Sequence, residues 1–218
     1  MMQKISSIVL KSIVVVAVCV GVTIDVVADT KSLLFFTIQS NIWIGLVCLV
    51  GLVLQLVRYP IKKWMYSVKL IFTVSITLTG VVYCGMLAPF LGSEAWLFSR
   101  VLTHVVVPLA SIADFIVGDY PADYKKWECT LVTIPPFYYL IFAGIGFALD
   151  WDFGYGDNYP YYFLNWGSPA GAFGFANESP YIGVFYYILI LLAFVVGIGA
   201  LYIFVARAVK NKHSANIQ

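Results

Sequence analysis

The sequence predicts an all-α polytopic membrane bundle, with six transmembrane helices in a single domain over residues 1–218 and both termini in the cytoplasm. Three observations predict it. Only 11% of the 218 residues are charged while 61% are hydrophobic, whereas soluble domains carry about 25% charged residues. The apolar residues gather into six runs, each long enough to cross about 30 Å of hydrocarbon as a helix. The basic residues fall almost entirely on alternate connections between those runs.

The first run is Ile8–Ala28, preceded by Lys4 and holding Lys11. A basic start followed by a valine-rich core also fits a cleaved signal peptide, which would leave five spans. Asp25 and Asp29 fit the outer end of a retained first helix equally well. The second run, Leu33–Val57, leads into a connection with Arg58, Lys62 and Lys63, flanked by Lys69. The third is Val68–Leu91 and the fourth Ala95–Val117. Lys125 and Lys126 precede the fifth, Trp127–Leu149. The last run, Tyr181–Val209, is closed by Arg207, Lys210 and Lys212. If six helices alternate, eleven basic residues share the side of the termini and only Lys31 and Arg100 face the other. That bias is the positive-inside pattern, and it predicts a multi-pass protein of the cytoplasmic membrane. No run alternates polar and apolar residues as a barrel wall would.

The longest connection, 150–180, lies on the outer side in this topology. It is rich in Gly, Pro and aromatic residues and has no basic residue. Such a loop reads either as a partial lid on the membrane surface or as an interfacial aromatic anchor. Cys19, Cys48, Cys84 and Cys129 sit in or beside apolar runs without CxxC spacing, so they read as small buried hydrophobes. No internal repeat, phosphate loop, dinucleotide fingerprint or nucleic-acid footprint is present, and two separated histidines fall short of a metal-ligand set. The expectation is no metal, no cofactor and no nucleic acid, with membrane lipids as the partners.

Polar residues are costly inside spans, so they mark the candidate site. Thr37 opens the cluster Thr37-Ile38-Gln39-Ser40-Asn41, in which Thr37, Ser40 and Asn41 share a helix face. An ordinary role for Thr37 is to bond back to the Leu33 carbonyl. His104 is the one histidine within a span, and Pro108 four residues later leaves its carbonyl without a helical partner. A kink is expected there, and another where Pro135 and Pro136 release the carbonyls of Leu131 and Val132. Arg100 lies one turn before His104 and fits either headgroup snorkelling or capture of an anionic head. Asp25 could pair with Arg100 or orient His104, while Asp114 reads as structural. At a rise of about 1.5 Å per residue, Asp25, Thr37 and His104 lie roughly 5, 6–8 and 12 Å inside the same boundary.

Phe35-Phe36-Thr37-Ile38-Gln39-Ser40-Asn41, Thr103-His104-Val105-Val106-Val107-Pro108 and Tyr159-Pro160-Tyr161 resemble the bacterial predicted six-transmembrane integral membrane family. That family is similar to the eukaryotic androgen-induced membrane hydrolases and to the androgen-dependent regulator of tissue factor pathway inhibitor. The resemblance implies an intramembrane hydrolase of fatty acid esters of hydroxy fatty acids, with Thr37 as nucleophile and His104 as base. The residues that follow Thr37 here, Gln-Ser-Asn, depart from the eukaryotic pattern.

Three readings stand at this point. One is a lipid-ester hydrolase that proceeds through an acyl-threonine, with Asn41 or Ser40 as oxyanion donor and Arg100 holding a carboxylate head. The second is a transporter or channel for a small solute, which needs a continuous polar path. The third is a structural or partner-binding protein whose polar residues only join helices.

Overall fold

The computed structural model describes residues 2–118, 124–154 and 156–215. Six helices are long and apolar enough to cross a membrane. They are α1 (Met2–Ala28), α2 (Phe36–Leu56), α3 (Lys63–Trp96), α4 (Phe98–Val117), α5 (Glu128–Ala148) and α6 (Val184–Ala215). The side chains of Lys210, Lys212 and His213 lie outside the described residues.

Several boundaries move from those expected, each for a local reason. Helix α2 starts at Phe36 rather than Leu33, because Thr30–Leu34 forms a separate 3-10 turn capped by the Asp29 carboxylate, which accepts the Lys31 N–H at 2.9 Å. Helix α3 begins five residues early, at Lys63. Prolines 135 and 136 do break α5: a turn at Glu128–Leu131 ends, and the helix restarts at Ile134 with the prolines in its first turn, where their missing N–H groups cost nothing.

Helix α3 is central, packed against α2, α4, α5 and α6. Helices α1, α2, α3 and α4 enclose one apolar core around Val14, Ile44, Cys48, Ile76 and Val107. A larger core, rich in aromatic residues, joins α3 to α5, α6 and the long loop through Leu78, Tyr139, Phe163, Val195 and Tyr202. The exposed residues of these spans are largely apolar, as for Leu46, Ile141 and Phe204, which suits helices solvated by lipid rather than water. Cys19 and Cys84 are exposed among them, so only Cys48 is the buried small hydrophobe the sequence suggested.

Charge is buried at the end of the bundle where α1 begins. Asp114 of α4 is fully buried and takes Lys11 of α1 on one oxygen at 2.9 Å and Lys69 of α3 on the other at 2.8 Å. Ser7 donates to the same carboxylate at 2.6 Å, and Lys69 reaches the Cys48 sulfur of α2 at 3.1 Å. Lys11 and Lys69 therefore hold helices together instead of marking a membrane face. Setting them aside leaves the basic-residue count at nine to two.

The 149–183 connection is folded. Phe153, Phe163 and Leu164 are buried, and Gly146 on α5 has no Cβ because the Phe153 ring would occupy that place, 2.5 Å away. Lys31 pairs with Asp152 and holds the loop to the α1–α2 connection, which keeps the Asp152 carboxyl below the usual carboxylate range. Phe173, Phe175 and Tyr181 remain exposed. The first half of the loop is thus a plug, and its second half presents an aromatic rim.

Removing one member of a buried ion cluster strands the others, at about 3–5 kcal/mol. Asp114→Ala is expected to lower the thermal midpoint of the detergent-purified protein sharply. Asp114→Leu combined with Lys11→Met and Lys69→Met, which removes all three charges, should recover much of that loss. Circular dichroism melts of the two variants check this.

Candidate functional site

The chemistry-bearing residues gather at the opposite end of the bundle from the ion cluster, under the long loop. A chamber of about 400 Å³ is lined by Asp25, Thr37, Tyr83, Arg100, His104 and Tyr161, among others. The sequence-derived pair Thr37 and His104 therefore faces one space. Asp25 and Arg100 border it as well.

His104 is set by a local distortion of α4. Pro108 lacks the N–H that would close an ordinary turn on the His104 carbonyl, and residues Leu102–Val106 widen into a π turn. A second π turn, Tyr83–Leu87, lies in α3. The two meet face to face: the Tyr83 and His104 rings stack with centroids 3.6 Å apart, and Tyr83 Oη donates to the Ala95 carbonyl at 2.7 Å. Such π bulges frequently fall at functional positions. Gly80 permits the approach, since a Cβ there would lie 3.1 Å from both the His104 carbonyl oxygen and Pro108 Cγ.

The hydrogen bonds fix the tautomer of His104. Nδ1 lies 2.9 Å from the Arg100 carbonyl and 2.9 Å from Thr103 Oγ1. A carbonyl can only accept, and the Thr103 hydroxyl proton is already given to the Ser99 carbonyl at 3.0 Å. Nδ1 must therefore carry the proton, which leaves Nε2 with its lone pair, the form a general base requires. The orienting group is the Arg100 backbone. Asp25 does not fill that role: it makes no ion pair with Arg100 among the described residues, and the guanidinium instead donates to the Glu94 carbonyl at 2.8 Å.

Thr37 occupies the first turn of α2, where backbone N–H groups have no intrahelical acceptor. Its partner is Tyr161 from the loop. The Tyr161 hydroxyl accepts the Thr37 N–H at 3.4 Å and lies 3.2 Å from Thr37 Oγ1. The expected bond from Thr37 back to Leu33 does not form; the Leu33 carbonyl accepts from Gln39 Nε2 instead. Tyr161 is fixed by stacking on Phe163, with centroids 5.1 Å apart, and by an edge contact with Phe35. Removal from water pushes its phenol up, so it stays a donor at neutral pH. Among the described residues no hydrogen bond joins Thr37 to His104.

Asn41 and Ser40, the oxyanion candidates from sequence, are committed elsewhere. Both Asn41 Nδ2 protons go to carbonyls, of Thr37 at 2.8 Å and Thr103 at 3.1 Å, which ties α2 to α4. Ser40 Oγ donates to the Thr37 carbonyl at 2.9 Å and meets Thr79 Oγ1 at 2.7 Å. Neither has a donor left for substrate. Sequence reasoning missed Tyr83 and Tyr161. Tyr161 sits in the Tyr159-Pro160-Tyr161 motif, to which the sequence assigns no chemical role; Tyr83 carries no signal beyond its place in an apolar run.

A second, narrow chamber of about 70 Å³ adjoins the first, with Thr37, Tyr83, Leu87 and Tyr161 common to both walls. Its remaining lining is mostly apolar and comes from α2, α3, α5, α6 and the loop, including Phe36, Leu78, Leu140 and Leu191, with Thr79 the polar exception. Thr37 thus stands between a polar space and an apolar one. No group of three or more His, Cys, Asp or Glu side chains gathers among the described residues.

Comparison with family models, with curated proteins and with solved structures gives no match.

If Gly80 sets the contact that positions His104, Gly80→Val should overpack it. The cost is expected at about 1–3 kcal/mol. Gly85→Ala, at a position where a Cβ meets nothing within 4 Å, should be close to neutral. Paired thermal melts distinguish the two.

Proposed function

We propose that the protein is an intramembrane hydrolase of lipid esters in which Thr37 is the nucleophile and His104 the base. The observation that carries this reading is that both residues line one chamber, with His104 held in the tautomer whose Nε2 can accept a proton. The adjoining apolar chamber suits an acyl chain, and the motif resemblance to fatty acid ester hydrolases points the same way.

In this mechanism Thr37 Oγ1 leaves Tyr161 and turns toward His104. Nε2 takes the hydroxyl proton as the oxygen attacks the ester carbonyl carbon. The oxyanion is met by the Thr37 N–H at the positive end of α2 and by the Tyr161 hydroxyl, which replace the Asn41 and Ser40 of the sequence-based scheme. The tetrahedral adduct then breaks its bond to the alcohol oxygen, which leaves with the proton from His104. Water, deprotonated by the same nitrogen, releases the fatty acid from the acyl-threonine and restores the hydroxyl. The distribution of basic residues favours an arrangement with the termini in the cytoplasm, the chamber opening to the outer leaflet, and residence in the cytoplasmic membrane.

One observation favours the structural reading: Thr37, Ser40 and Asn41 all make bonds that join elements. The two readings part on turnover. Under the hydrolase reading, Thr37→Ala and His104→Gln each lower fatty acid release from a lipid ester by at least about 100-fold, while Thr37→Ser keeps measurable activity. Labelling of purified protein by a lipid-directed fluorophosphonate should vanish in Thr37→Ala. Equal labelling of that variant and the parent would sink the proposal.

A further inference from the structure

A second recess lies far from the His104 chamber, at the end of the bundle where α1 begins and α2 ends. It is a groove of about 210 Å³ between α2 and α3, walled by Leu46, Val50, Ile61, Trp64 and Met65, with Lys11 and Lys69 also in its lining. Leu46 and Val50 are 55% and 48% exposed, so the α2 wall opens sideways to hydrocarbon. Trp64 is 61% exposed at the first turn of α3, the depth at which indoles sit among lipid headgroups. The recess is therefore apolar along its length and ends at headgroup level.

The mouth of this groove is basic. Lys62 and Lys63 lie between the lining residues Ile61 and Trp64, and Arg58 precedes them; all three are exposed. The chain from Thr30 to Ser93 contains no Asp or Glu. Among the described residues, the carboxylates that meet the first two turns of α3 are both engaged: Glu128 by Ser67 Oγ at 2.6 Å and the Lys125 N–H at 2.8 Å, and Asp114 by Lys11 and Lys69. An apolar slot for a chain, capped by Arg58, Lys62 and Lys63 from a stretch of sequence that has no acid, is complementary to one kind of amphiphile.

We propose that this groove binds an anionic phospholipid, with an acyl chain along Leu46 and Val50 and the phosphate among Arg58, Lys62 and Lys63. The groove also touches the ion cluster. Gly51 has no side chain where the Lys11 stem passes, since a Cβ there would lie 3.2 Å from Lys11 Cε, so the stem that reaches Asp114 forms part of the floor. A lipid seated here covers that stem and clasps α2 to α3, and its occupancy stabilises the fold. This inference does not depend on the hydrolase reading.

The test uses full-length protein in a neutral detergent, supplied with phosphatidylglycerol or phosphatidylcholine of the same acyl composition. Native mass spectrometry reads bound lipid and thermal melts read stabilisation. The expected result is a one-to-one phosphatidylglycerol adduct formed at least ten-fold more readily than the phosphatidylcholine adduct, together with a higher midpoint. Val50→Trp, which fills the slot at a half-exposed position, should abolish the adduct. Lys62→Glu with Lys63→Glu should erase the preference between the two lipids, and both positions are exposed, so this variant decides the matter even if Val50→Trp misfolds. Equal binding of the two lipids by the parent overturns the proposal, as does a phosphatidylglycerol adduct undiminished in either variant.

Discussion

A carboxylate and two ammonium groups, shut away from water, constrain everything else in this bundle. Asp114 on α4 has no solvent to fall back on, so Lys11 of α1 and Lys69 of α3 must meet it within hydrogen-bonding distance. Isolated charge in a medium of low dielectric is so costly that three helices have little freedom to slide past one another. Helix α2 is drawn in through Cys48 on Lys69 and Gln55 on Lys11. Because helices are stiff, a register set at one end is carried to the other. There Gly80 of α3 falls opposite His104 and Pro108 of α4, and Asn41 of α2 reaches the Thr103 carbonyl.

The distortion at the chamber end is the complement of that rigidity. A proline in α4 and close contact with α3 leave the turn around His104 no ordinary helical geometry, and both helices answer with π turns. There the imidazole stacks on Tyr83 and donates its Nδ1–H to the Arg100 carbonyl one turn earlier. The tautomer of His104 is therefore a consequence of backbone geometry. A carboxylate in the same place would hold the ring similarly but would add charge beside a chamber that adjoins an apolar one. The backbone carbonyl orients the ring without that burden.

Much of the fold was legible in the sequence because lipid imposes a one-dimensional rule: apolar length gives a span. That rule found all six helices, and simple depth counting brought Thr37 and His104 to one layer. It could not say which helices touch. Lys11, Lys69 and Asp114 each looked like a feature of one helix end, and their meeting is a property of three. Opposite charges at matching depth were the available signal. Asn41 and Ser40 were misjudged for the same reason, since their polarity was visible but not the carbonyls that consume it. The role of Tyr161 depends on how a 30-residue loop folds back, through Phe153 into the Gly146 notch and Phe163 under Tyr161, and no periodicity encodes that path.

The loop also changes how the two ends of the molecule relate. Its Tyr161 hydroxyl covers the open first turn of α2 and meets Thr37 Oγ1, so the threonine is engaged by a residue of the folded loop. In the proposed hydrolase, a substrate that enters between Phe35 and Tyr161 would loosen this contact before it reaches Thr37. The same movement would release both the hydroxyl and the N–H groups at the helix terminus. As a cap, the Tyr161 hydroxyl satisfies an N–H in the open first turn of α2, and it does so at the boundary between a polar and an apolar chamber. In the proposed hydrolase, a cap in that position would keep the nucleophile from water until an acyl chain displaced it, while the ion cluster at the far end held the helices in register.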